Sequence, residues 1–251
     1  MSNVELIGSE FNEDIVRGFE QRIAEVKGSI ANSCKKAGRD VGCITLIGVS
    51  KVFPVSYAKA AYLAGLRDFG ENRVQELVSK IEELNKCDMR PNWHLNGSLQ
   101  KNKVKYIVGK THLIHSVDTV DLAREISRKS VANGVVTSIL LEANISGEES
   151  KHGFRENELN AAIDDICTLD GLKLKGLMTM APIQSIHGDA RPVFSRTKKV
   201  FDSLKGYVKA PNEWDTLSMG MSQDYDIAIE EGSTIVRIGT SIFGDRSKLP
   251  Q

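Results

Sequence analysis

Residues 135–178 read VVTSILLEANISGEESKHGFRENELNAAIDDICTLDGLKLKGLM. An apolar run, Val135–Asn144, is followed by Leu159, Ala162, Ile163 and Ile166 at three- and four-residue steps, and then by a second apolar run, Leu172–Met178. The outer two have strand length and the middle has helical period. Strands that run in the same direction side by side need such a crossover, so the unit predicts parallel pairing. Runs that are apolar throughout suit a sheet covered by helices.

The same alternation extends in both directions. Further strand-length runs are Ile44–Val49, Arg67–Phe69, Trp93–Asn96, Leu113–Ser116, Thr216–Ser218 and Ile235–Ile238. Clear helical stripes are Val74, Leu77, Val78, Ile81 and Leu84, and Val193 to Leu204; weaker ones span Tyr57–Ala64, Lys101–Val108, Asp121–Ala132 and Tyr225–Glu230. Eight strands with a helix-like connection in every interval, in 251 residues, predict an α/β fold of the TIM (β/α)8 barrel type. An open doubly wound sheet is the rival, and the lack of a Gly-rich dinucleotide turn places it second.

Before the first strand, Asn12 is the expected N-cap of a helix reaching Lys36, with Ile15, Phe19, Ile23, Val26 and Ile30 as its stripe. Too few residues follow Ile238 for a full eighth helix. The N-terminal helix is therefore expected to cover the wall that helix would occupy. No linker rich in Pro, Gly or Ser interrupts the pattern, so residues 1–251 are read as a single domain with residues 1–40 as an N-terminal helical segment.

Composition narrows the function. Thirty-three basic residues balance 33 acidic ones, which argues against a surface built for nucleic acid or an anionic membrane. The longest charge-free stretches, Ser130–Leu141 and Gly176–Gly188, are too short to span a bilayer. The acidic Met1–Asp14 lacks a basic start and apolar core, so no signal peptide is expected. Cys34, Cys43, Cys87 and Cys167 form no CxxC pair, so neither a disulfide framework nor a structural zinc is expected. A cytoplasmic location follows from these expectations.

In a TIM barrel the chemistry sits at the C-terminal ends of the strands. Two of these ends stand out. The loops after strands seven and eight carry Ser218, Gly220 and Ser222, and Gly239 and Thr240. Glycine lets a backbone approach an anion and hydroxyls add donors, so the pair reads as a phosphate site, with ordinary turn chemistry as the plain alternative. Lys51 directly follows the first strand, so its amine is expected in the barrel mouth, where burial would favour the neutral form that Schiff-base chemistry needs. The plain alternative is a rim lysine neutralising a carboxylate such as Glu71. A lysine facing a phosphate site makes a carbonyl-plus-phosphate receptor, which pyridoxal 5′-phosphate (PLP) and sugar phosphates both match. His94 reads as a satisfied core histidine, Met178, Met180, Met219 and Met221 as rim and core fillers, and Glu148–His152 as a solvated loop.

Several runs resemble one family: Gly48-Val-Ser-Lys51; Phe69-Gly-Glu-Asn72 with Gln75-Glu76; Trp93-His94 with Leu99-Gln100 and Asn102-Lys103; and His115-Ser-Val-Asp118. So do Ser146-Gly-Glu-Glu-Ser-Lys-His-Gly153, Gly176-Leu-Met-Thr179, Leu217-Ser-Met-Gly-Met-Ser222 with Asp224, and Gly232-Ser233 through Val236-Arg-Ile-Gly239 to Phe243-Gly244. From Thr45 to Arg246 the chain resembles the pyridoxal phosphate homeostasis protein family, also described as proline synthetase co-transcribed homologues.

The resemblance implies a barrel similar to the N-terminal domain of alanine racemases, carrying PLP as an aldimine on Lys51. It implies Asn72 beside the cofactor and Arg237 facing the pyridine nitrogen. Ser218, Ser222, Gly239 and Thr240 would hold the phosphate, and Met221 completes the cofactor-binding set. An arginine at that nitrogen makes the ring a weaker electron sink than a carboxylate would. Asn96 and Val52-Phe53 depart from the family pattern at positions expected to lie away from the cofactor.

The expectation is a PLP carrier or regulator, without established turnover, that serves vitamin B6 homeostasis as a monomer. PLP-dependent apoenzymes are its candidate partners. A small PLP-dependent racemase or lyase is the alternative from another class, but the five tyrosines mostly lie in helical stretches away from the rim. A cofactor-free aldolase using Lys51 is the third.

Overall fold

The computed structural model describes residues 13–148, 152–182 and 190–245. Asn12, Glu149 to Lys151 and Arg246 lie outside the described residues. The chain begins with α1 (Glu13–Lys36) and then runs β1 (Thr45–Val49), α2 (Val55–Leu63), β2 (Asp68–Glu71), α3 (Val74–Lys86) and β3 (Asn92–Leu95). A 3-10 turn (Lys101–Tyr106) leads to β4 (Leu113–Val117), α4 (Val120–Ala132) and β5 (Thr137–Asn144). There follow the two-residue β6 (Phe154–Arg155), α5 (Leu159–Ile166), β7 (Leu172–Met178) and α6 (Arg191–Leu204). β8 (Thr216–Met221), α7 (Tyr225–Glu230), β9 (Ile235–Ile238) and α8 (Thr240–Phe243) complete it.

The strands pair in the order β4-β3-β2-β1-β9-β8-β7-β5, all parallel, and β4 also pairs with β5. That last pairing closes eight strands into a TIM-type barrel, with β6 flanking β5 outside the ring. Every strand-length run of the sequence is a barrel strand. The expected helix at Lys101–Val108 is instead a 3-10 turn. Within this six-residue turn the i→i+3 bonding continues, and the bond from Ile107 N–H to the Val104 carbonyl keeps both apolar side chains inward.

α1 takes the place expected for an eighth helix. It packs against α2, α7 and α8, and buries Val16, Phe19, Ile23, Val26, Ile30 and Cys34 on one face. The Phe19 ring meets Tyr57 and Phe243 edge-on at 6.0 and 5.7 Å. The Arg22 Nε–H donates to the Ile242 carbonyl at 2.6 Å, and Arg39 donates to the Ile229 carbonyl at 2.6 Å. The last turn, α8, is only four residues long, so α1 supplies the missing wall.

Two features of the ring place the site. β8 and β9 slip register between Ser218↔Ile235 and Met221↔Arg237, so β8 spends three residues where β9 spends two. Gly220 absorbs the bulge at φ +94°, where a Cβ would come 2.6 Å from that of Ala228. Inside the ring, the small apolar layer Ile47, Val49, Leu113, Leu140, Met178 and Ile235 is shared with buried polar side chains.

Candidate functional site

Lys51 leaves β1 under control from both sides. Ser50 is fully buried; its N–H donates to the Gly70 carbonyl at 3.1 Å and its hydroxyl to Glu71 Oε1 at 2.5 Å. Lys80, from the inner face of α3, donates to the Ser50 carbonyl at 2.7 Å and to Glu71 Oε1 at 2.6 Å. Burial pushes the Glu71 carboxyl above its ordinary range, opposed by Lys80 and Ser50. The carboxylate that the sequence offered to Lys51 is thus engaged by Lys80. On the other side Val52 adopts φ +71°, and its N–H donates to Glu76 Oε2 at 2.9 Å. A β-branched residue in left-handed backbone is a true outlier, tolerated where the surroundings over-determine it.

A cavity of about 230 Å³ opens at the C-terminal mouth. Lys51, Asn72, Met221, Ser222, Arg237, Gly239 and Thr240 all line it, so seven of the eight residues expected from sequence meet at one opening. The Gly239 N–H donates to Ser222 Oγ at 3.2 Å, tying the β8 and β9 loops together. Asp224 also lines the cavity; its Oδ1 accepts the Met221 N–H at 2.6 Å, and burial pushes its carboxyl up.

Ser218, the eighth residue, is elsewhere. It is fully buried beneath the cavity and does not line it, because the Gly220 bulge carries the chain outward and leaves Ser222, not Ser218, on the rim. Its oxygen accepts from Arg237 Nη1 at 2.6 Å and lies 3.0 Å from His115 Nδ1. Ser218 is thus placed where it supports Arg237, one layer below the residues that line the cavity. Arg237 Nη2 donates to the Thr179 carbonyl at 3.0 Å. Burial brings the guanidinium down to about 10, opposed by Asp224 and Glu142.

Asn96 is a correction. Expected away from the cofactor, it lines the cavity, with both amide atoms buried and without a hydrogen-bond partner. Buried polar groups are nearly always paired, so an amide without a partner in the cavity wall is unusual. Its signal was its rank: like Lys51 and Asn72, it stands just past a strand end. Lys80 was legible too, as a lysine three residues from Leu77 and four from Leu84 on an apolar stripe. His94 is the satisfied core histidine expected, 3.0 Å from His115 and 3.2 Å from Asp68. Met178 and Met219 are core; Met180 and Met221 line the cavity.

A larger hollow, about 600 Å³, lies at the opposite mouth. None of the expected site residues lines it, and its lysines are paired, Lys173 with Glu213 at 2.8 Å and Lys175 with Asp215 at 2.9 Å. Convergence of the expected residues, not size, marks the smaller cavity as the site.

Residues 39–247 match the family described as alanine racemase, N-terminal domain, which defines the class of barrel. The pyridoxal phosphate homeostasis protein of Aquifex aeolicus is 42% identical over 228 residues, covering 90% of this chain and 97% of that one. The protein of the same name from Escherichia coli is 36% identical, over 89% and 95%. This chain belongs to the pyridoxal phosphate homeostasis protein family. PipY of Synechococcus elongatus, solved with PLP bound, superposes with a TM-score of 0.76 at 30% identity, covering 90% of this chain and all of that one. An alanine racemase from Corynebacterium glutamicum, at 13% identity and a TM-score of 0.67, shares the fold over 94% of this chain and 63% of its own.

Proposed function

We propose that this chain binds PLP in the cavity between the ends of β1, β8 and β9, and serves PLP homeostasis as a carrier rather than a catalyst. The observation that carries the reading is that the Lys51 side chain, the buried cation of Arg237 and the Ser222–Gly239–Thr240 rim line one opening. The donor set fits the group. A Cβ on Gly239 would meet only Val49, its carbonyl oxygen at 3.5 Å and its Cβ at 3.9 Å, both ordinary contacts, so a side chain there would fill the cavity and not clash with the protein.

When bound, PLP supplies an aldehyde that an amine captures reversibly. Lys51 would hold it covalently, and Ser222, Gly239 and Thr240 would hold the phosphate. Met221 and Asn72 would flank the ring. Arg237 would donate to the ring nitrogen and keep it unprotonated. Among the described residues no tyrosine lines the cavity, so the side chain that would serve as a second base in a racemase is not offered there.

PLP-dependent apoenzymes would be the recipients, in the cytoplasm, with the carrier working as a monomer. Among the described residues no helix is long and apolar enough to cross a membrane. The test is a spectrum of the protein with PLP, followed by borohydride reduction and peptide mapping. The expected result is an absorbance band trapped on Lys51 and lost in Lys51→Ala. A protein that takes up no PLP, or a Lys51→Ala variant that still traps it, refutes the assignment. Steady exchange of an amino acid's α-hydrogen into deuterated water would move the reading to a racemase.

A further inference from the structure

An unbroken line of hydrogen bonds runs through the barrel from this cavity to the opposite mouth. Arg237 Nη1 donates to Ser218 Oγ at 2.6 Å, and Ser218 Oγ lies 3.0 Å from His115 Nδ1. His115 Nε2 lies 3.0 Å from His94 Nδ1, and His94 Nε2 lies 3.2 Å from Asp68 Oδ1. All but Asp68 are buried, and Asp68, with its side chain 20% exposed, lines the far hollow. Five polar side chains in a barrel core cost more than an apolar filling unless each is satisfied. Here each is, and in one way only.

The direction follows from the Asp68 end. Burial opposes ionisation there, but the hydrogen bonds from His94 and Asn92 prevail and hold this carboxyl below its ordinary range, so it is an acceptor only. Burial holds His94 below the usual histidine range against the opposing pull of Asp68, with His112 adding to it, and holds His115 well below that range, with His94, Arg237 and His112 adding to it, so both are neutral. A carboxylate demands a hydrogen on His94 Nε2; a neutral ring then leaves Nδ1 as acceptor. His115 must therefore donate from Nε2 and accept at Nδ1. That fixes the one hydroxyl hydrogen of Ser218 on His115 and turns its lone pairs to Arg237.

We propose that Asp68, His94 and His115 are positioning residues that act through Ser218, locking it as the acceptor for Arg237 Nη1 and so fixing where the guanidinium stands beneath the cavity. The part of this that concerns PLP rests on the function proposed above. A ring nitrogen facing a donor-only guanidinium must accept, and so stays unprotonated. The charge that sets the direction of the line sits at the other end of the barrel.

The test has two arms. The first needs no cofactor: long-range proton–nitrogen spectra of the imidazoles in labelled protein near neutral pH. His94 and His115 are expected as neutral rings, each carrying its proton on Nε2. Asp68→Asn, whose amide offers either a donor or an acceptor, is expected to bring up the Nδ1-protonated form of His115, one ring beyond the substitution. A Nδ1-protonated or doubly protonated ring in the parent protein, or an unchanged His115 in Asp68→Asn, overturns the proposal. Should Asp68→Asn not fold, His94→Gln breaks the same link and carries the same expectation.

The second arm reads the bound cofactor. In Asp68→Asn the pH midpoint of the PLP absorbance is expected to move down, because a negative charge has left the line, while the surface variant Asp121→Asn leaves it in place. Ser218→Ala is expected to release PLP about tenfold faster, the loss of one charge-assisted hydrogen bond. A midpoint unmoved by Asp68→Asn means the line does not reach Arg237, and overturns the positioning role. If the parent protein takes up no PLP, the proposed function falls, and the first arm still decides the line.

Discussion

Lys80→Met should be among the most damaging single changes outside the cavity, and its cost should depend on pH. The ammonium it removes makes two charge-assisted hydrogen bonds, to Glu71 Oε1 at 2.6 Å and to the Ser50 carbonyl at 2.7 Å, with both charged side chains almost wholly excluded from water. Each such bond contributes roughly 1.5–3 kcal/mol, and breaking a buried pair by removing one partner costs about 3–5 kcal/mol. Methionine keeps most of the stem's packing, so the loss is electrostatic. Glu71, already pushed up by burial, loses its main opponent and moves further up.

The sign follows from linkage. A carboxyl whose folded value lies above its unfolded value of about 4.3 favours folding below that value and loses the contribution as pH rises through the folded one. Urea unfolding at about pH 5 and about pH 8 should therefore show Lys80→Met destabilised by the full roughly 3–5 kcal/mol only at the higher pH. Glu71→Gln in the same chain should recover much of the loss and remove the pH dependence. A cost below about 1 kcal/mol at the higher pH, or one that does not change with pH, would mean that the pair is hydrated and does not anchor Ser50.

Val52→Gly should raise the unfolding free energy by about 0.5–1 kcal/mol in urea, because relief of left-handed strain exceeds glycine's entropy cost; a loss of more than that would show the φ is not strained. Asn96→Leu should leave the apo protein as stable or about 1 kcal/mol more stable, since it replaces an unpaired buried amide, while weakening PLP retention in equilibrium dialysis. Deleting residues 1–38 should abolish cooperative unfolding: six buried side chains at roughly 1.5–3 kcal/mol each match or exceed the usual total stability of about 5–15 kcal/mol. A soluble truncation with a sharp thermal transition would show that the barrel closes without α1.

What the sequence disclosed and what it hid have a common physical cause. Strand and helix positions repeat with fixed periods, so Val135–Asn144 and Leu172–Met178 could be assigned to barrel strands from apolar spacing alone, and Lys51 and Gly239 could be gathered from their rank after strand ends, whereas Asn72 and Arg237 came from the family resemblance. Ser218 could not. Which of Ser218 and Ser222 reaches the rim depends on one extra residue in β8 between them, and a bulge leaves the hydrophobic pattern of its strand almost unchanged while turning every later side chain. Gly220 was the available sign, since a glycine inside a strand pattern marks a bulge, but in sequence it reads equally as the glycine of a phosphate loop. The same ambiguity explains the histidines. Asp68, His94, His115 and Ser218 are separated by 26, 21 and 103 residues, and only barrel closure stacks them. Sequence order shows which residues reach the rim, whereas the pairing of interior polar groups is set by shear around the closed ring. Polar residues on interior strand positions of a small barrel therefore call for partners before they call for ligands, and among the described residues Asn96, just past the end of β3, is an exception whose buried amide has none.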